Sequence, residues 1–391
     1  MPHYDVVIAG GSISGLLAAR EIASGGLSVA VVEEDAEIGT PEHCGGLVSI
    51  SGIRNLGIVP DIDTVESNRI TQAKIFSPSS CFEISAERQN IVVLDRRAFD
   101  KQIAFQAQKK GAEIRVKCSM RSLGKQGCGY VVETSEGDLS CNFFVDARGI
   151  SSIIKRNRGG VLQSAQYEVY ASWIDPRTIE VAFNTLQYPG FFAWIIPTGQ
   201  GRGKVGVAGR HINAATALQS YIDRKGKYSI VRKVYAPIWI NGPLKSFVFD
   251  RMIIVGDAAG QSKPTTAGGI YTCGMGGVLA GRALVEAAYK SESDEQKQRL
   301  LLKQYETNWL SMFKPEFDKM LLARRLLERM DNKAIDDLIK AIPKRIIQEV
   351  SMDGDFDFHS AALAKILRAK GAARMAKALL GNEMRRLIPE S

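Results

Sequence analysis

Residues 41–49 of this chain read PEHCGGLVS, which sets Cys44 between His43 and the pair Gly45-Gly46. A thiol can donate or relay a proton, or it can serve only as a small side chain packed against a ligand. Both readings stand for Cys44, with His43 beside it as a second titratable group. A second stretch, Gly10-Gly11-Ser12-Ile13-Ser14-Gly15, keeps the first and third glycines of a GxGxxG turn and puts Ser12 in place of the second. In that pattern the first glycine makes the turn, the second admits a pyrophosphate to the backbone, and the third lets helix pack on strand. Serine is the smallest substitute, and its hydroxyl can bond a phosphate oxygen. A third stretch, MIIVGD, ends an apolar run on Asp257.

The elements that must position these groups are legible. DVVIAG is β-branched and ends in glycines, GLLAAREIAS has helical spacing, and LSVAVVEE is a second apolar strand ending on Glu33. This is a βαβ unit whose closing acid can accept both hydroxyls of a ribose. After Asp257 the chain turns through Gly268-Gly269 and enters a helix at Ile270, a second anion site at a helix N-terminus. In VVLDRRAFDKQIAFQAQKKGAEIRV, Arg96 precedes an amphipathic helix and is available to a phosphate or ribose; VDARGISS (145–152) reads as the strand and turn returning to the first sheet. That order matches an α/β, glutathione-reductase-like (Rossmann-type) FAD-binding fold interrupted by an antiparallel β-sheet substrate domain. FAD is therefore the expected cofactor.

The expected division is 1–155 for the first part of the FAD-binding domain, with a short insertion of substrate-domain strands near 65–93. Residues 156–248 form the antiparallel substrate domain, 249–300 the second FAD-binding part, and 301–391 a helical C-terminal region. QYEVYASWI, TIEVAFN, FFAWIIP, GKVGVAGR and FVFDRM read as its antiparallel strands. Tyr188, Phe191, Phe192, Trp194 and Pro197 offer an aromatic and rigid channel wall, with Phe192, Trp194 and Pro197 lining substrate. From 300 onward helical periodicity takes over, and the last segment, AALAKILRAKGAARMAKALL, alternates apolar residues with Lys and Arg. Such a stretch either lies on an anionic membrane surface or forms the solvated face of a helical cap.

Lys and Arg number 51 against 42 Asp and Glu, a formal charge of +9, which favours acidic partners such as phosphorylated substrates or anionic headgroups. With no zinc-finger or RNP-like signature, nucleic acid is not an expected partner. The cysteines at 44, 81, 118, 128, 141 and 273 make no CxxC pair and no ligand-spaced cluster, so no metal is expected and a reducing cytoplasm fits. The N-terminus has no secretory pattern. The uncharged run from Pro264 to Gly281 is too rich in Gly and Thr for a membrane span. Localisation is therefore expected to be cytoplasmic, with peripheral contact at the inner membrane face if the C-terminal helices lie on lipid.

With these residues in place the chain resembles the geranylgeranyl reductase family, in particular the archaeal digeranylgeranylglycerophospholipid reductases, over roughly residues 4–330. EIGTPEHCGG is similar to the family's PxxCG motif, DRRAFD to (D/E)RxxFD, FFAWIIP to YxWxFP, and VGDAAG…GGI to its second cofactor motif. The resemblance places FAD contacts at Ser14, Gly15, Glu33, Cys44, Gly45, Arg96, Met120, Asp257, Gly269 and Ile270. Gly10, Ser12, Gly46 and Gly268 complete the expected cofactor set. Five positions depart: Gly46 and Leu47 where the family often has Glu and Gly, Lys263 where it has Asp, Phe192 where it has Tyr, and Arg148 where it has Asp or Thr.

What the resemblance implies is an FAD-dependent oxidoreductase acting on CH–CH groups. It saturates isolated C=C bonds of geranylgeranyl chains by hydride from reduced flavin N5 plus a proton, in archaeal membrane phospholipid biosynthesis. The implied substrate is a prenyl lipid or prenyl diphosphate, and the implied electron donor NAD(P)H or ferredoxin. Two rivals remain at this point. FAWIIP is close to the halogenase motif WxWxIP, pointing to a monooxygenase or halogenase, although no lysine between flavin and substrate stands out; the other is a non-catalytic protein that binds FAD and prenyl lipid.

Overall fold

The computed structural model describes residues 1–67, 70–154, 158–290 and 294–368. The last stretch of the basic C-terminal segment, 369–391, lies outside the described residues.

An eight-stranded sheet grows from the expected βαβ unit. His3–Ala9 pairs in parallel with Val29–Val32 on one side and with Leu139–Asp146 on the other. Glu113–Arg115 and Met252–Ile254 extend the parallel run outward. Their carboxyl ends are level: Ala9 lies opposite both Val32 and Asp146, and Asp146 opposite Ile254. The turns that follow therefore open onto one edge, the place where open α/β sheets bind ligands. Val248–Phe249 hairpins onto Met252–Ile254, so FVFDRM belongs to this sheet and not, as its alternation suggested, to the substrate sheet. A two-residue strand is too short for alternation to reveal which sheet it joins.

Helices cover the sheet: α1 (Ile13–Ser24), the short α2 (Ile50–Asn55) and α3 (Arg96–Lys109) from the first part of the chain, with α4 (Ala214–Asp223) on the second sheet. The long α5 (Ile270–Lys290) runs against α1. The approach is close because a Cβ at Gly277 would stand 2.1 Å from Ser14 O, and one at Gly281 2.8 Å from Ala18 O. The glycines that argued against a membrane span are thus a helix-packing face. Among the described residues no helix is long and apolar enough to cross a membrane.

The second sheet has seven strands, in the order Ser229–Trp239, Val161–Tyr170, Arg202–Gly209, Ala193–Gly199, Thr178–Ala182, Gln72–Phe76, Cys81–Ser85. It is antiparallel except where Thr178–Ala182 runs parallel to Gln72–Phe76. Ser229–Trp239, its longest strand, carries the charged pair Arg232-Lys233 and is solvent-exposed at its start, so it does not stand out as an apolar strand. Between the two sheets sits a three-stranded one, Leu47–Ser49, Ile91–Leu94 and Val65–Ser67.

Beyond α5, α6 (Glu295–Glu328) is continuous through Pro315. Tyr305, Trp309, Phe313 and Phe317 recur every fourth residue and form one buried stripe. Tyr305 donates to Ile254 O at 2.8 Å and Trp309 Nε1 to Thr272 O at 3.0 Å, which bolts α6 to the sheet edge and to α5. α7 (Asn332–Ala341), α8 (Lys344–Asp353) and α9 (Ser360–Arg368) complete the described chain.

Candidate active site

The ligand edge is built mainly of backbone. Gly10 has φ +108°, and a Cβ there would stand 2.5 Å from Ala147 O; one at Gly15 would stand 2.0 Å from Gly10 O. Both glycines are sterically required. Glu33, at the end of the second strand, accepts from Gly11 N at 2.6 Å and from Asp35 N at 3.0 Å, so its carboxylate is already aimed across the turn. Ser12 is exposed at the N-cap of α1 and its hydroxyl makes no cap bond. Ser14 is buried in the joint between α1, Gly256 and α5. Asp257 accepts from Cys273 Sγ at 3.4 Å, and burial, then the Asp257 charge, keeps that thiol neutral with its pKa well raised. Gly268, Gly269 and Ile270 lead into α5 beside Asp257. Met120 packs from the other side of the sheet against the cluster of Val7, Ala9, Ala30 and Val32.

These groups fit a dinucleotide: glycines where a side chain would block approach, a carboxylate for a diol, and a helix N-terminus for negative charge. Gly10, Ser12, Gly15, Glu33, Asp257, Gly268 and Gly269 are brought to one edge.

The Cys44 loop crosses from this edge to the seven-stranded sheet. Gly46 has φ +83° and its amide lies close under Leu94, whose N–H donates to Gly46 O at 2.9 Å. A Cβ at Gly45 would stand 2.5 Å from Ile196 Cδ1. The two glycines let the loop thread between strand and sheet, which places Cys44 at the crossing. Its Sγ accepts from Gly46 N at 3.4 Å, and its carbonyl accepts from Gln166 Nε2 at 3.4 Å. Arg96 opens α3 after the N-cap Asp95, and its guanidinium is gripped by Asp100 at 2.8 Å to each oxygen. Burial works to lower the Arg96 pKa, but Asp100 and the Cys44 side chain hold it raised. Asp100 engages Nε and one terminal nitrogen of the guanidinium, which fixes its orientation beside the Cys44 loop.

His43 is exposed, and crowding around its ring, followed by the Arg232 charge, lowers its pKa. Glu42, its neighbour, turns inward and is buried. Lys204 Nζ donates to Glu42 at 2.6 Å and to Glu66 at 2.8 Å, and Arg232 donates to Glu42 at 2.7 Å; Lys204 and Glu42 side chains are both 0% exposed. Burial pushes the Glu42 pKa upward, but Lys204 and Arg232 outweigh it and hold the carboxyl below its ordinary range. Arg202 joins Glu66 to Glu168. A cavity of about 370 Å³ lies at the outer end, lined by Ile62, Val65, Glu66, Ser67, Pro176, Gly199 and Gln200, with no residue of the Cys44 loop.

Period two sorts the sheet's faces. Ala193, Ile195, Val205 and Val207 pack with Leu218 and Tyr221 of α4 on the outer face. Trp194, Ile196, Gln166 and Lys204 belong to the inner face, toward the Cys44 loop. Trp194 Nε1 donates to Gln166 at 3.1 Å, and the indole lies across Gly206, where a Cβ would meet it at 2.2 Å. Phe192 stacks on Phe191 at 4.1 Å and meets Trp194 edge-on at 6.3 Å. Pro197 is buried near the strand's end. Tyr188 is a correction: it packs edge-on against Tyr221 in the outer core and is no part of the channel wall. It sits in a turn, where strand alternation does not set side-chain direction.

Two further groups were not legible. Arg324 of α6 donates to Pro264 O at 3.5 Å and to Gly190 O, tying the turn after Asp257 to the aromatic turn; burial lowers its pKa to about 10. Residues 354–359 cross over the turn 263–268. His359 Nε2 donates to Phe356 O at 2.8 Å while Nδ1 faces Thr265 Oγ1 at 3.1 Å; burial, then Lys263, lowers its pKa to about 3. For the buried network of Glu42 and Glu66 the sequence signal lies in polar residues at inward-facing strand positions, Glu168 and Lys204.

Residues 3–224 match the FAD binding domain family, more than half of the 391-residue chain. Over 364 residues the chain is 30% identical to digeranylgeranylglycerophospholipid reductase 1 of Methanopyrus kandleri, covering 87% of this chain and 95% of that protein. The crystal structure of a geranylgeranyl bacteriochlorophyll reductase-like protein from Thermoplasma acidophilum superposes with a TM-score of 0.85 at 24% identity, over 99% of this chain and 100% of that one. A flavin-dependent brominase superposes with a TM-score of 0.66 at 17% identity, over 98% and 100%. At these identities the two structures speak for the fold alone. Family match, relative and cofactor edge together make the chain an FAD-dependent oxidoreductase of the geranylgeranyl reductase family.

Proposed function

We propose that this protein saturates isolated C=C bonds in the geranylgeranyl chains of archaeal-type glycerophospholipids. The observation that carries the reading is the crossing of the Cys44 loop between the FAD edge and the inner aromatic face of the seven-stranded sheet. Bound FAD would supply the hydride at its N5, held by Gly10, Ser12, Gly15, Glu33, Asp257 and Gly268–Ile270. The chain must then supply a proton to the neighbouring carbon and keep water away.

Phe192, Trp194 and Ile196 provide an apolar surface on which a prenyl chain lies flat. Gln166 fixes both the indole and the Cys44 carbonyl, so it holds the distance between wall and loop. Cys44 is the proposed proton-holding group, and the Arg96 guanidinium beside it stabilises the thiolate left after donation. His43, exposed at the loop, is placed to return a proton from solvent. The division at 155, 248 and 300 assigns cofactor, substrate and helical roles. The electron donor is NAD(P)H or ferredoxin, and the basic C-terminal segment brings the protein to the inner face of the membrane.

The test is anaerobic incubation of the dithionite-reduced protein with geranylgeranyl lipids, followed by mass spectrometry. Addition of hydrogen pairs with matching flavin reoxidation is expected. Reoxidation indifferent to every alkene would leave a lipid-binding flavoprotein, and NAD(P)H-driven oxygen consumption would favour the monooxygenase or halogenase reading. Cys44→Ser, with FAD retained, should lower turnover by about 10²–10⁴-fold, the usual worth of a general acid.

A further inference from the structure

Lys263 is a buried cation beside the cofactor edge. It lies in the turn between Asp257 and α5, and its backbone closes that turn: Lys263 N donates to Gly268 O at 2.9 Å and Ala267 N to Lys263 O at 2.8 Å. The residue is 5% exposed. Nζ donates to Phe356 O at 3.0 Å, stands 4.8 Å over the Phe356 ring, and is 3.8 Å from Asp357 Oδ1. Asp357 is buried too, and its other oxygen accepts from Ser49 Oγ, which caps α2 by accepting from Gly52 N at 2.8 Å.

An ammonium has three donors. Among the described residues Lys263 places one in a hydrogen bond, and 3.8 Å is too long for a second. The cation is therefore held but only partly compensated. The side chain runs beneath the turn of Gly268, where a Cβ would stand 3.2 Å from Cε and 3.8 Å from Nζ, so the charge sits directly behind that turn. Gly268 and Gly269 form the approach to the α5 N-terminus, whose dipole already favours negative charge. Burial lowers the lysine pKa, with Asp357, Asp355 and Glu316 opposing, so the charge is kept by three carboxylates together and not by Asp357 alone.

We propose that the Lys263 ammonium, together with the α5 N-terminus, stabilises the negatively charged reduced state of the bound FAD, and that Asp357 on the C-terminal segment moderates this effect. A charge near the flavin ring is a direct lever on its electronics. The inference rests on FAD lying along this edge and needs no lipid substrate, so it stands or falls separately from alkene reduction.

The experiment equilibrates the purified holoprotein with a reference dye at about pH 6, on the acid side, which favours the ammonium form of a lysine whose pKa burial has lowered. Lys263→Met should lower the reduced-to-oxidised ratio at fixed dye potential about tenfold, roughly 30 mV for a two-electron couple. Lys263→Arg should stay close to the parent. Asp357→Asn should shift the ratio the opposite way to Lys263→Met, because it removes the countercharge and leaves the cation. An unchanged ratio in Lys263→Met, or equal falls in Met and Arg variants, would overturn the proposal. So would a fall in Asp357→Asn, because disruption of local packing moves both partners in one direction. If Lys263→Met fails to retain FAD, the Arg and Asn variants decide by the same two criteria.

Discussion

The nucleotide edge and the inner face of the seven-stranded sheet meet at Cys44 and are built by different means. At the edge, Gly10, Gly15 and Glu33 come from one contiguous βαβ unit, and what they offer a ligand is backbone amide and a single carboxylate. On the inner face, Glu42, Glu66, Glu168, Arg202, Lys204 and Arg232 arrive from five separate stretches and satisfy one another in the interior. The first region is specified by sterics: a Cβ cannot enter. The second is specified by pairing, because a buried charge left alone is far more costly than a buried pair. Local geometry can be read from neighbouring residues, whereas a network of this kind exists only once the chain has folded.

The contrast can be broken most forcefully at Lys204. Lys204→Met leaves Glu42 and Glu66 buried without their shared partner and should destabilise the protein by about 3–5 kcal/mol in urea unfolding. Adding Glu42→Gln should recover part of the loss; a single variant as stable as the parent would show that the network is not what holds the loop. At the nucleotide edge the effect should appear in binding. Glu33→Gln removes a charge-assisted bond worth about 1.5–3 kcal/mol, so FAD titration should show a Kd raised about ten- to a hundredfold with little change in apoprotein stability.

Gly206→Ala tests the wall. The new methyl meets the Trp194 indole, which Gln166 holds in place, and should cost about 1–3 kcal/mol, the usual range for overpacking. In a Trp194→Ala background the same change should cost much less, a coupling that a double-mutant cycle measures directly. The most local effect belongs to His359. Its folded pKa, about 3, lies below the ordinary 6.5, so it is neutral in the fold. Its contribution is complete above about pH 6.5 and is lost progressively as pH falls toward 3. Amide exchange in 354–359 should therefore quicken on acidification, and His359→Gln should flatten that dependence.

Much of the molecule was legible from residue order. β-branched runs, punctuating glycines and the acid at position 33 identify the cofactor edge because each acts through its own backbone or its near neighbours. The inward direction of Trp194 was only half legible: alternation puts it opposite Ala193 and Ile195, but which face is inner depends on where α4 docks. The basic character of Arg96 was legible, but the orientation that Asp100 gives it, one helical turn later, was not. Tyr188 and FVFDRM misled because a turn residue and a two-residue strand carry no period.

The sequence by itself determined the turn, the carboxylate and the close helix packing of the FAD edge, since these follow from sterics within a few residues. Only the tertiary structure decided that Glu42 faces Lys204 across 162 positions, and that Asp357 and Ser49 meet across 308. Such pairs are selected by burial, which removes water from groups whose partners lie anywhere along the chain, and burial is a property of the folded molecule as a whole.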